Sequence, residues 1–162
     1  YGARIDLPPH AIGLMMAAGA VGGIALQIPI GWLADRFGRS RAIVAMGGVC
    51  LAGPALVYLV GPATLPLYLV MFVYVGVAMG LYTVGLSLIG ERFTGGSIAA
   101  ANAAFIFAYG MGSLFAPPTG GAAMDLINPY GLLIMLAGLA LVFLVFAAWH
   151  LSKQARTPVP GS

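Results

Sequence analysis

Four stretches of this chain contain no Asp, Glu, Lys or Arg, and apolar residues dominate each of them. The stretches are 7–34, 42–90, 93–124 and 126–152. A helix of about 20 residues, rising ~1.5 Å per residue, crosses the ~30 Å hydrocarbon core of a bilayer. The second stretch is too long for one helix, and the sequence GPATLP at 61–66 supplies a turn inside it. The pattern therefore predicts five transmembrane segments.

The predicted helices cover about 12–34, 42–60, 66–89, 98–124 and 129–150, followed by a polar tail at 151–162. The alternation of polar and apolar residues that marks strands is absent, and a membrane barrel needs many alternating strands of about ten residues. Helices are then the remaining way to satisfy backbone hydrogen bonds in lipid. We therefore expect an all-α fold in which 1–162 forms a single polytopic transmembrane bundle.

Composition supports a membrane protein and changes the interpretation of the basic charge. Hydrophobic residues make up 61% of the 162 residues, charged residues make up 7%, and the mean hydropathy is +1.02, whereas a soluble domain carries roughly a quarter charged residues. The net charge of +3 comes from side chains between the apolar stretches, which is typical of membrane topology rather than nucleic-acid binding. A single cysteine, Cys50, cannot build a disulfide framework or a cysteine-based metal site. We expect no metal, no cofactor and no nucleic-acid partner.

The basic residues are strongly biased to one side of the predicted topology. Arg4 falls on one side, and six residues fall on the other: Arg36, Arg39, Arg41, Arg92, Lys153 and Arg156. Lys and Arg accumulate in cytoplasmic loops, so we expect a multi-pass protein of the cell membrane with an external N-terminus and a cytoplasmic C-terminus. Tyr1 is not an initiator Met, and no signal peptide precedes the odd number of helices. We therefore interpret the chain as a fragment that lacks an upstream helix.

Polar side chains inside a bilayer are costly unless they meet one another or water, so their distribution indicates which helices line an interior. The second and fifth segments contain no Ser, Thr, Asn or Gln, and we expect them at the periphery. The other three segments carry the candidate substrate contacts, which are Gln27, Tyr74, Tyr82, Asn102 and Tyr109. The alternative is that such residues only join helices, through hydrogen bonds worth ~0.6–2 kcal/mol each.

Glycines and prolines mark two further features within the segments. The spacings Gly19-x-x-x-Gly23 and Gly76-x-x-x-Gly80 predict close helix crossings. The fourth segment ends in a proline pair and a glycine pair: Pro117, Pro118, Gly120 and Gly121. Prolines remove backbone donors and clash with the preceding turn, so a helix bend is expected there. The alternative is that the helix simply ends at the prolines.

The sequence GWLADRFGRSRAI at 31–43 lies between the first two segments. Gly38 permits a tight turn there, and the arginines anchor the loop at the cytoplasmic face. Asp35 needs partners, because an acid is unfavourable beside the C-terminus of its own helix. One of the loop arginines or the N-terminus of the fourth segment can supply them. Glu91 and Arg92, at the end of the third segment, complete an ionic cluster.

This loop resembles the G-x-L-A-D-R-x-G-R loop of the major facilitator superfamily, although Ser40 departs from the usual basic residue. Pro117-x-x-Gly120-Gly121 is similar to the family's Gly-Pro-x-x-Gly-Gly motif, with Ala116 in place of the first glycine. The resemblance covers essentially the whole chain and implies a secondary transporter that moves a small solute by alternating access. The stretch 90–113 is also similar to bacterial carriers of the sugar or drug-efflux type, in the inner membrane. The resemblance implies one six-helix half without its first helix, with the missing helices and the lipid bilayer as partners. The polar tail after the last segment favours the C-terminal half, helices eight to twelve.

The resemblance also implies a conformational latch at the cytoplasmic face. Its expected members are Gly31, Asp35, Arg36, Gly38, Arg39, Arg41, Glu91 and Arg92. All four acids of the chain lie at segment ends, so no proton-coupling site is expected within the spans.

An enzyme is the first rival interpretation, and we do not expect one. Ser87 lies in GLSLIG at 85–90, which misses the nucleophile spacing G-x-S-x-G by one residue. His10 and His150 fall near opposite faces of the membrane, so neither is positioned as a base for this serine. A non-transporting scaffold, or a subunit of a larger complex, is the second alternative.

Overall fold

The computed structural model describes residues 1–62 and 64–156, with side chains as far as residue 153. A short 3₁₀ helix, Gly2–Ile5, precedes six α-helices. These are α1 (Pro9–Ala25), α2 (Gln27–Phe37), α3 (Arg39–Val60), α4 (Thr64–Arg92), α5 (Gly96–Leu126) and α6 (Gly131–Arg156). The described residues contain no strand. The prediction of an all-α membrane helical bundle is confirmed.

Four helices, α3 to α6, are each long and apolar enough to cross a bilayer. The pair formed by α1 and α2 adds a fifth crossing if it is counted as one bent span. Apart from this pair, the helices follow the predicted segments closely, with extensions of a few residues beyond the charge-free stretches.

The first predicted segment, 12–34, is formed by two helices rather than one continuous helix. The structure ends α1 at Ala25, begins α2 at Gln27 and turns the axis by 43° between them. Pro29 explains the break, because it has no N–H to donate to the carbonyl of Ala25, four residues earlier. The Gln27 side chain stabilises the break by donating from Nε2 to the carbonyl of Gly23 at 2.8 Å. Pro29 is visible in the sequence, and its significance was missed.

Helix α4 is the central element, and it packs against α1, α2, α3 and α5. The crossing of α1 and α4 is close, because glycine lies on both sides of it. A Cβ atom on Gly22 would lie 1.9 Å from the carbonyl oxygen of Phe72, and one on Gly76 would lie 2.7 Å from that of Gly22. The predicted close crossing therefore exists, with Gly22 rather than Gly23 at the point of closest approach.

The expectation that the second and fifth segments are peripheral stays a prediction. Helix α3 lies between α4 and α6 and also touches α2, and its buried side chains include Met46, Cys50 and Val57. In α5, which was expected to line an interior, the one buried residue among those described is Gly120. An apolar sequence suits contact with other helices as well as contact with lipid, so the absence of polar side chains did not distinguish the two.

Helix α5 continues through the proline pair, so the alternative that it ends there was wrong. Thr119 lies directly after the pair and donates from Oγ1 to the carbonyls of Phe115 at 2.7 Å and Ala116 at 3.1 Å. Gly120 faces Leu132 of α6. The bend expected at Pro117 and Pro118 stays a prediction.

Candidate functional site

An ion-pair cluster at one end of the bundle is built around Arg39, the first residue of α3. Its Nη2 lies 3.1 Å from Oδ1 of Asp35, and its Nη1 lies 3.0 Å from Oε1 of Glu91. The same Nη1 donates to the carbonyl of Ser87 at 3.0 Å. The side chain of Arg39 is 26% exposed, against 68% for Asp35 and 52% for Glu91. One guanidinium therefore connects α2, α3 and α4.

The turn between α2 and α3 gives Arg39 this position. Gly38 is the single residue between the two helices, and its backbone has φ 91° and ψ 131°. Residues with a Cβ atom rarely adopt a positive φ of this size, so glycine is strongly favoured here. The turn lets α3 begin directly beside the end of α2 and brings Asp35 and Arg39 together across it.

The other predicted latch residues lie apart from this cluster. The Arg36 guanidinium lies 5.2 Å from the ring centroid of Trp32, a cation–π distance. Arg41 is exposed and borders a groove between α2 and α3. Arg92 reaches toward α6, where its Nη1 is 3.4 Å from Nε2 of His150. A Cβ on Gly31 would meet no atom within 4 Å.

Asp35 was also expected to approach the N-terminus of the fourth segment, which is the start of α5. Among the described residues, α2 and α5 make no contact. The ion pair of Asp35 is instead with Arg39. The ion pair of Asp35 with a loop arginine is thus present in this structure, and the contact of Asp35 with the start of α5 is not.

The polar residue of the first segment links two helices. Thr83 on α4 donates from Oγ1 to Oε1 of Gln27 at 2.8 Å, while Nε2 of Gln27 bonds to the carbonyl of Gly23. Both ends of the Gln27 amide are therefore occupied by protein groups. This matches the alternative left open from the sequence, that such residues join helices by hydrogen bonds.

An aromatic cluster lies between α4 and α5. The ring of Tyr82 is 4.9 Å from that of Tyr109 and 5.3 Å from that of Phe105, measured between centroids. These are favourable tilted contacts between aromatic rings. A groove of about 530 Å³ beside the cluster is lined by Val75, Ala78, Met79, Tyr82 and Tyr109. We call it the α4–α5 groove.

Asn102 shares one face of α5 with Phe105 and Tyr109, because residues three and seven positions apart lie on the same side of a helix. Its Oδ1 atom is buried and has no hydrogen-bond partner among the described residues. A buried acceptor without a donor is costly unless a ligand or water completes it. Phe105 was missed in the sequence, although its spacing from Asn102 and Tyr109 could have indicated it.

Tyr74 does not join this groove. Its ring packs onto α3, where a Cβ on Gly53 would lie 2.1 Å from Cδ2 of Tyr74. It belongs to a hydrophobic cluster that includes Cys50 and Met46. The structure thus brings Tyr82 of α4 to Tyr109 of α5, on the helix that also carries Asn102, and separates Tyr74 from them.

Another ion pair lies at the opposite end of the bundle. Arg4, in the 3₁₀ helix, pairs through Nη2 with Oδ1 of Asp125. Its Nη1 donates to the carbonyl of Met124 at 3.1 Å. This contact ties the N-terminal segment to the end of α5, and nothing local in the sequence indicated it.

The rival enzymatic residues have structural contacts. The Ser87 hydroxyl donates to the carbonyl of Val84 at 2.9 Å, and His150 lies beside Arg92. The described residues contain no group of three or more His, Cys, Asp or Glu side chains that could hold a metal ion.

Comparison with known proteins identifies the class that this helical bundle represents. Residues 2–162 match the family model for the Major Facilitator Superfamily. The chain therefore belongs to the major facilitator superfamily, and it is a multi-pass membrane protein. The resemblance noted from the loop at 31–43 is confirmed.

The chain is also similar to uncharacterized transporters of this family from bacteria. It is 30% identical over 154 residues to an MFS-type transporter of Yersinia enterocolitica, covering 91% of this chain and 37% of the relative. It is 31% identical over 149 residues to one of Enterobacter sp. (strain 638), covering 92% and 37%. The chain thus spans a little over a third of the length of these relatives. No solved structure matches it significantly.

Proposed function

We propose that this chain is part of a secondary active transporter that moves a small solute across the cell membrane by alternating access. The observation that carries the proposal is the Arg39 cluster, which joins three helices at one end of the bundle. Membership of a transporter family supports it. A non-transporting scaffold or subunit is the second candidate, and no enzymatic activity is proposed.

In the proposed orientation, the end that carries Arg36, Arg39, Arg41 and Arg92 is cytoplasmic and the N-terminus of the chain is external. The positive-inside rule supports this assignment, because basic residues collect at that end. The pair of Arg4 and Asp125 is electrically balanced and lies at the other end. Cytoplasmic placement of the C-terminus follows from the same assignment.

In the proposed mechanism, the contacts of Arg39 with Asp35 and Glu91 are made in one conformational state and broken in the other. All three side chains are partly exposed, so each ion pair contributes only about 0–1 kcal/mol. Contacts of that size bias an equilibrium without locking it, as a repeating transport cycle requires. Gly38 holds the turn, while Gly31, Arg36, Arg41 and Arg92 make up the rest of the proposed latch.

The solute is proposed to bind at the α4–α5 groove. Its lining is apolar and aromatic, without a charged side chain, and Asn102 offers a buried acceptor on the same helix as Tyr109. This combination favours an uncharged solute with an aromatic or apolar body and one hydrogen-bond donor. Gln27 is proposed to contribute to this site indirectly, by accepting a hydrogen bond from Thr83 of α4. Tyr74 is proposed to hold α4 in place by packing against α3.

The site is completed by the rest of the transporter, which we propose to be the missing helices of the same protein. The chain corresponds to a little over a third of its relatives, and large apolar side chains stay exposed on α5, such as Phe107 at 71% and Leu114 at 66%. We assign the chain to the C-terminal half. A bend at Pro117, Pro118, Gly120 and Gly121 is proposed to let α5 move.

The test is an uptake screen with the full-length transporter in phospholipid vesicles, using a panel of uncharged aromatic solutes and a matched panel of anions. Saturable uptake of a member of the first panel, weakened by Asp35→Asn with unchanged protein level, is the expected result. Uptake confined to anions would contradict the proposed groove. If neither panel is transported while the protein is folded, the scaffold candidate is favoured.

A further inference from the structure

Helix α6 carries an apolar groove on the side that faces away from the bundle. It has a volume of about 600 Å³ and is lined by Leu141, Val142, Val145, Phe146 and Trp149. The contact of α6 with α3 is made by other residues, since Phe143 and Leu144 lie against Gly47. The groove residues are strongly exposed, Val142 at 69% and Phe146 at 64%.

Two basic side chains from different helices converge at one end of this groove. Lys153 Nζ lies 4.0 Å from the ring centroid of Trp149, directly over a lining residue. His150 stacks on Phe146, with centroids 6.5 Å apart and planes 16° apart. Arg92 of α4 reaches the same place, with Nη1 3.4 Å from Nε2 of His150. The Lys153 ammonium and the Arg92 guanidinium thus both lie at the end of the groove that carries Trp149 and Phe146.

We propose that this end of α6 binds an anionic phospholipid of the surrounding leaflet. One acyl chain lies along the groove, and Lys153 and Arg92 contact the phosphate. Arg and Lys both bind phosphate well, Arg through its planar fork and Lys as a point charge. A zwitterionic lipid gains less here, because its own ammonium group is repelled by the two cations. The inference is independent of the transported solute.

The opposite end of the bundle provides a contrast. A comparable apolar groove of about 340 Å³ there is lined by residues of α3, including Tyr58, by Tyr130 in the turn before α6, and by residues of α6. The ion pair described at that end, Arg4 with Asp125, carries no net charge. Charge complementarity to an anionic headgroup is therefore a property of the arginine-rich end.

The test uses tryptophan fluorescence, because the chain has only two tryptophans. Trp32→Phe leaves Trp149 as the reporter within this chain, and tryptophans elsewhere in the full-length transporter are likewise replaced. The protein is placed in phosphatidylcholine vesicles that contain either brominated phosphatidylglycerol or brominated phosphatidylcholine, whose bromine atoms quench nearby tryptophan. A Lys or Arg side chain in contact with the headgroup favours anionic lipid by about 1 kcal/mol, which is about fivefold in binding, and this effect falls off with distance. We expect brominated phosphatidylglycerol to quench Trp149 at a correspondingly lower mole fraction.

Three charge-removing variants separate a site from general attraction. Lys153→Gln and Arg92→Gln are each expected to lower the lipid preference about fivefold, and Arg92→Gln does so without removing the lysine over Trp149. Arg41→Gln removes the same charge at the same end, on α3, and is expected to leave the preference unchanged. Equal quenching by the two lipids in the parent, or an equal loss in all three variants, would overturn the proposal.

Discussion

The Arg39 guanidinium lies 3.0 Å from a carboxylate oxygen of Glu91, which joins the first residue of α3 to the end of α4. The other terminal nitrogen of the same group holds Asp35 at 3.1 Å. Two acids on different helices therefore share one planar cation. The rigid fork of arginine suits this arrangement, whereas the single ammonium of lysine does not.

Replacing Arg39 with Lys should weaken this connection while keeping the charge. One ammonium cannot hold Asp35, Glu91 and the carbonyl of Ser87 in the same geometry. Since exposed pairs are worth about 0–1 kcal/mol each, we expect a fall in transport rate of roughly two- to fivefold. The measurement is uptake of the solute found in the screen proposed above. Ser40→Ala, on the next residue, serves as the control, and an equal fall in both variants would count against the latch.

Gly22→Ala should strongly destabilise the protein. The new Cβ would lie 1.9 Å from the carbonyl oxygen of Phe72, so the backbones of α1 and α4 must separate. Overpacking of this kind costs about 1–3 kcal/mol or more. Thermal unfolding of the full-length transporter in detergent measures the effect. Gly13→Ala, where a Cβ meets no atom within 4 Å, is the matched control, and similar unfolding temperatures for both variants would refute the proposed crossing.

Asn102→Leu should weaken solute binding without lowering the free energy of unfolding. The Oδ1 atom of Asn102 is buried without a partner among the described residues, so its removal should not lower the free energy of unfolding. Loss of one hydrogen bond to a solute should weaken binding by about 0.5–1.5 kcal/mol, roughly two- to tenfold. Equilibrium binding and thermal unfolding are measured on the same variant. A large loss of stability with unchanged binding would make Asn102 a structural residue.

The contact between Arg4 and Asp125 should contribute only modestly to stability. Asp125 is 71% exposed and Arg4 is 35% exposed, so the surrounding water and salt screen the pair. We expect Asp125→Asn to lower the free energy of unfolding by about 0–1 kcal/mol, with the difference vanishing at high salt. The exchanged pair, Arg4→Asp with Asp125→Arg, should recover the loss. No recovery would mean that the pair is not formed in solution.

Cysteine labelling should establish the orientation. Thr94 lies exposed between α4 and α5, at the same end as Arg39, and Asn128 lies exposed between α5 and α6, at the other end. In intact cells, a membrane-impermeant maleimide should label Asn128→Cys but not Thr94→Cys, and permeabilisation should expose both. Cys50 is buried. Replacing it and any other cysteine of the full-length protein with Ser removes background labelling. The reverse labelling would invert the proposed topology.

Most of the fold could be predicted from hydropathy and local sequence motifs. Spans can be read from the sequence because the cost of burying charge in lipid depends on each residue and its immediate neighbours. The helix break at Leu26 is local in the same sense, since Pro29 causes it. The loop motif at 31–43 and the pairing of Asp35 with Arg39 across one turn also depend on short-range spacing.

Packing decided the rest, because contacts between distant segments depend on how the helices rotate and cross. Tyr74 and Tyr82 are eight residues apart on one helix, about 80° apart around its axis, so they face α3 and α5 respectively. The packing of α3 between α4 and α6, the ion pair of Arg39 with Glu91 and that of Arg4 with Asp125 all join residues remote in sequence. No local pattern contains that information, since helix orientation is set by side-chain packing and small-residue crossings over the whole bundle.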